Sequence, residues 1–193
     1  MDSNTHSNGD LDGRPGQPPD GPTALAAAVK QLAAEDRGGL SAAARAERVR
    51  SVRRLLDCLE GQWLAELAEL DAWGAAGAEE GVQVGSTASW LRRRLRMSAG
   101  AAHRAVRTAR ALFRGPLTGT AQALTDGELS VAHASVLAAG THDLPHQVAV
   151  EAEPVLLEAA RRLDPGRLRR VVGHLRLVAD PDTATSQAER RHE

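Results

Sequence analysis

The segment SAAARAERVRSVRRLLDCLEGQWLAELAELDA, residues 41–72, decides the fold class. Its apolar residues Val49, Val52, Leu56, Leu59, Trp63, Leu67 and Leu70 recur at steps of three and four. That is the repeat of a helix with one apolar face. Arg48, Arg53, Arg54, Glu60 and Glu66 fall mostly off it. At about 1.5 Å per residue the element would be roughly 50 Å long, enough to span a small domain. The glycines of WGAAGAEEGVQVGS, residues 73–86, end it.

Helical signals continue on both sides. TALAAAVKQLAAEDR (23–37) reads as a short helix with Thr23 as a possible N-cap, ended by the glycines that follow. Thr87 to Met97 reads as a short helix capped by Ser86 or Thr87, with Trp90, Leu91 and Leu95 inward; Ser98 caps the next, to about Arg114. Residues 120–140 read as two helices joined at Asp126-Gly127. A helical stretch over 141–163 contains Pro154, which is expected to kink or split it. In LDPGRLRRVVGHLRLVADP (163–181), Asp164 caps and Pro165 takes the first helical position. Leu168, Val171, Val172, Leu175 and Val178 then form the inner face. No segment alternates with period two over a strand's length. The expectation is an all-α, multi-helix bundle of amphipathic helices. Residues 1–22 are expected to be a disordered tail, 23–181 the helical domain, and 182–193 a polar C-terminal segment, with truncation there as one reading.

Composition narrows the chemistry. Aromatic residues are 2% of the chain, so the core must be built from Leu, Val and Ala. Lys30 is the only lysine, and the remaining fixed positive charge is arginine. Cys58 is the only cysteine, which excludes an intramolecular disulfide and a cysteine-based zinc cluster. There is no apolar leader and no membrane-length apolar run, so a cytoplasmic location is expected.

The charge is unevenly placed. The net formal charge is −1, yet STASWLRRRLRMSAGAAHRAVRTARALFRG (86–115) holds Arg92, Arg93, Arg94, Arg96, Arg104, Arg107, Arg110 and Arg114 and no acid. At about 100° per residue, Arg104, Arg107, Arg110 and Arg114 share one arc of their helix, with His103 at its edge. Ala102, Val106, Ala109, Leu112 and Phe113 lie opposite. Guanidinium groups suit phosphate, so a polyanion is the expected partner and these eight arginines the candidate nucleic-acid-binding residues. A solvated or internally paired arginine face is the alternative, with AEEG (78–81) or the acidic segment 151–158 as the internal partner.

Other constellations carry less. Residues 120–140 match a helix-turn-helix in spacing, but an ordinary αα-hairpin explains them equally well. His142 and His146 flank Pro145, which argues against two ligands on one helical face. His133 is readable as a core histidine bonded to a carbonyl, His174 as a surface residue and Cys58 as a buried inert thiol. No catalytic constellation, metal site or cofactor is expected.

Taken in order, STASWLRRRLRMSAGAAHRAVRTARAL, AQALTDGELSVAHASVL, EAARRLDPGRLRRVV and the closing AERRHE after DPD resemble domain of unknown function 222, the actinobacterial 13E12 repeat family. The similarity runs from about residue 45 to the end. In that family the helical region usually precedes an HNH nuclease motif, so the resemblance implies DNA work linked to an endonuclease. An HNH site needs histidine ligands, a general base and a structural asparagine around a divalent metal. The only asparagines here are Asn4 and Asn8, so no family catalytic residue maps onto this chain. The resulting expectation is a non-catalytic domain that binds or positions nucleic acid, with DNA contacted through phosphate. Self-association through the long helix, or an HNH nuclease partner, is a further possibility; a membrane partner is not expected. The rival readings are a helical protein-interaction or oligomerisation module and a truncated remnant of an endonuclease gene.

Overall fold

The computed structural model describes residues 20–74 and 85–179. All regular structure among them is helical: α1 (Gly21–Ala34), α2 (Ala42–Ala72), α3 (Thr87–Arg94), α4 (Ala99–Phe113), α5 (Thr118–Thr125), α6 (Val131–Thr141), α7 (His146–Arg162) and α8 (Pro165–Ala179). The expected tail up to residue 19, the centre of the glycine-rich loop (75–84) and the segment 182–193 lie outside the described residues. None of the described helices is long and apolar enough to cross a membrane.

The chain divides into two compact units, Met1–Arg45 and Ala46–Glu193. In the first unit, Asp20 and not Thr23 caps α1: its carboxylate accepts from the Thr23 amide at 2.9 Å, and Pro22 fills the first turn. α1 buries no residue, and Lys30 stands exposed on it. The connection to α2 is held by arginines. Arg37 donates to the carbonyls of Leu32 and Ala33, and Arg45 to those of Arg37 and Leu40.

The second unit is built around α6, which packs against α4, α5, α7 and α8. Ala134, Val136, Leu137, Ala138, Gly140 and Thr141 of α6 are buried. Small residues make this possible. A Cβ on Gly140 would lie 1.7 Å from Val172 Cγ1, so α6 and α8 meet at a distance that only glycine allows. Leu64, Leu91, Leu112, Leu117, Leu124, Leu137 and Leu168 fill the space between helices. No aromatic side chain is fully buried among the described residues; Trp90 and Phe113 pack partly against the core. α3, α4 and α6 carry serine caps at Ser86, Ser98 and Ser130. Asp164 accepts from the Gly166 and Arg167 amides at the start of α8. α7 continues through Pro154 without splitting. Pro154 is exposed, so the carbonyl it leaves unpaired can face water.

The apolar face read from the sequence of α2 is not the face that the fold buries. Asp57, Gly61, Leu64, Leu67 and Ala68 are buried, about 110° round the helix from the Val49–Trp63 stripe. Of the seven residues read as one face, only Leu67 is buried; Leu70 packs partly on the core, and Val49, Leu56, Leu59 and Trp63 are exposed. Asp57 is taken inward with a partner: Arg53 Nε donates to it at 3.0 Å, and the other arm of the guanidinium binds its second oxygen. Two inner-face assignments change elsewhere. Leu95 lies past the end of α3 and is half exposed, and Val171 of α8 is exposed at the rim.

Candidate nucleic-acid interface

α4 divides as its sequence periodicity requires. Ala102, Val106, Ala109 and Leu112 are buried, Phe113 packs at the core's edge, and the arginines take the other side. That side forms one wall of a cleft of about 940 Å³. Arg107 and Arg110 line it from α4, Arg114 from the residue that caps its C-terminal end, Asp71 from the end of α2, His142 from the α6–α7 connection and His146 from the start of α7. His103 completes the α4 wall.

The three cleft arginines have different environments. Arg110 donates from Nε and Nη2 to the two oxygens of Asp71, at 2.6 and 2.9 Å. These hydrogen bonds, one from Thr87 and the Arg110 charge hold the Asp71 carboxyl below the usual carboxylate range, against the opposing effect of burial. The same pair raises the Arg110 guanidinium above its ordinary value. Arg114 binds Glu69 at 2.6 Å. Arg107 is half-buried, and its Nε is fully buried without a hydrogen-bond partner among the described residues. A buried guanidinium N–H left unpaired is costly.

Three of the eight candidate arginines therefore line the cleft. Arg107, Arg110 and Arg114 share the cleft, while Arg104 is exposed on α4 and is not part of its wall. Arg92, Arg93, Arg94 and Arg96 are exposed at the end of α3 and beyond, also outside the cleft. Arg96 holds a left-handed backbone, φ 55°, in the turn between α3 and α4. Internal pairing applies to Arg110 and Arg114, but their partners come from α2 and not from the acidic segment 151–158. In that segment Glu153 is buried and accepts from the Thr120 amide and hydroxyl at 2.7 and 2.8 Å and from the Gly119 amide at 3.2 Å. It supplies the N-terminal cap that α5 lacks from its own sequence. Glu158 pairs with Arg161 and Arg162.

The α5–α6 pair does not present a recognition helix. The second helix of a helix-turn-helix must expose one face to the major groove, whereas α6 is the most enclosed element of its unit. His133 is a packing histidine: its Nε2 donates to the Leu163 carbonyl at 2.9 Å, and its Nδ1 lies 2.8 Å from Ser130 Oγ. Cys58 is half-buried against Gly127 in the α5–α6 turn, where φ is +69° and a Cβ would lie 2.8 Å from the Cys58 sulfur. Among the described residues, no group of three or more His, Cys, Asp or Glu is placed to hold a metal ion. The convergence of His103, His142 and His146 on the cleft had no signal in the sequence, because the helix packing that joins them acts over some forty residues.

Comparison with curated proteins and with solved structures returned no match. A family model, Domain of unknown function (DUF222), matches residues 42–193, which include all the residues of the cleft and most of the chain. The chain belongs to the DUF222 family.

Proposed function

We propose that the second unit binds nucleic acid by its phosphate backbone, with the α4 cleft as the contact surface. Its role would be to position DNA for an HNH-type nuclease activity carried outside this sequence, without catalysis of its own. The observation that carries the reading is the cleft wall to which Arg107, Arg110 and Arg114 all contribute. Three guanidiniums face two carboxylates there, so the wall keeps a positive excess with the fork geometry that suits phosphate oxygens. Arg104 and the Arg92–Arg96 cluster extend the positive surface beyond the cleft.

Backbone contact without base readout gives weak, sequence-tolerant and salt-sensitive binding. Fluorescence anisotropy of a labelled duplex against salt tests it. The joint change Arg104→Ala and Arg107→Ala is expected to reduce the log–log salt slope by about 1.8, two phosphate contacts' worth. Arg110 is left in place so that its ion pair with Asp71 survives. Changing Arg167, Arg169 and Arg170 of α8 to Ala is the control and is expected to leave the slope unchanged. Equal binding by the parent and the α4 variant, or no binding by the parent at low salt, would overturn the proposal.

A further inference from the structure

We infer that His103, His142 and His146 are anion-binding residues of the cleft, and that their protonation sets how tightly it holds nucleic acid. The inference rests on the binding reading above and adds its regulation. Histidines from three places in the fold, α4, the α6–α7 connection and the start of α7, line one cleft. All three are exposed, so each can take up a proton without leaving water. None of them makes a hydrogen bond or ion pair among the described residues. His133 is the contrast: both of its ring nitrogens are engaged, with Ser130 and Leu163, in packing α6.

The fixed charges of the cleft largely cancel. Arg110 is paired with Asp71 and Arg114 with Glu69. Arg107 is the cleft guanidinium that has no carboxylate partner among the described residues. Three imidazolium groups would add three charges to that single excess, so most of the positive charge the cleft can present is histidine charge. Nothing else lining it offsets them. Asp71 is held by Arg110, and Ser86, Thr87 and Ala88 before and within α3 bring no titratable group. On α4, Arg104 adjoins His103 and adds a like charge. Asp143, next to His142 in the chain, has an interaction of its own, and Glu151 of α7 accepts from Gln147. Histidine is the side chain that ordinarily changes charge between about pH 5 and 8. A phosphate among the three rings favours each imidazolium, and by reciprocity each bound proton favours the phosphate.

The test is fluorescence anisotropy of a labelled DNA duplex with the full chain, measured against salt at about pH 8 and about pH 6. The parent's affinity is expected to rise at least about tenfold on acidification, since each proton taken up with the ligand changes affinity by as much as about tenfold per pH unit. Its log–log salt slope is expected to steepen by about 0.9 for each histidine engaged. The triple change His103→Gln, His142→Gln and His146→Gln is expected to bind as the parent does near pH 8 and to lose the increase near pH 6. Its circular dichroism spectrum should match the parent's, because all three side chains are exposed. His174→Gln, exposed on α8 and outside the cleft, is the control and should keep the parent's pH profile. Affinity that is equal at the two pH values, or an increase near pH 6 that survives the triple change, overturns the inference and leaves the binding reading standing. A parent that binds at neither pH overturns both.

Discussion

Asp71 links the stability of the second unit to the charge of its cleft. Its carboxyl is held below the usual carboxylate range by Arg110. The stabilisation is therefore complete above the unfolded value of about 4 and is lost as pH falls through the lower folded value. Asp71→Asn is expected to cost about 1 kcal/mol at neutral pH, because the Arg110 side of the pair is solvent-screened, and to flatten the acid limb of a stability–pH curve from urea melts. It should also release Arg110 into the cleft, so the less stable variant is expected to bind duplex DNA more tightly than the parent. Gly140 acts by volume alone. Gly140→Ala drives a methyl to 1.7 Å from Val172 Cγ1 and is expected to cost about 3 kcal/mol in urea unfolding. Val172→Ala in the same chain should recover part of that loss, and the double-mutant cycle measures how much.

At the scale of elements, α4 and α2 show what the sequence made legible. α4 alternates buried Ala and Leu with arginine, so pattern and burial coincide, and its two faces were read correctly. α2 was read as a helix correctly but on the wrong face. Its buried side holds Gly61, Ala68 and the paired Asp57, which no hydrophobic pattern identifies as core. Its most regular apolar stripe is exposed. Periodicity locates an apolar face without saying whether the neighbour belongs to the same fold. Leu64→Ala is expected to cost about 2–4 kcal/mol by denaturant titration, and Leu56→Ala less than about 0.5 kcal/mol. A reversal of that order would show that the stripe belongs to the core.

At the scale of the whole molecule, the all-α class and the family were legible because each rests on local pattern. The cleft was not, because its walls come from α2, α4 and the α6–α7 connection. The eight arginines looked like one patch in the chain, and packing sorted them into a cleft group and an outlying group. Glu69 and Asp71, which pair with two of the cleft group, lie about forty residues away in the sequence. The exposed Lys30 of α1 has a consequence for chemistry on this protein. It is the chain's single side-chain amine, so acetyltransferases and amine-reactive dyes find no side-chain target among the residues that line the cleft. The positive charge of the cleft arginines does not respond to lysine acylation, and a fluorophore placed on Lys30 reports on the molecule while leaving the cleft's own side chains unmodified.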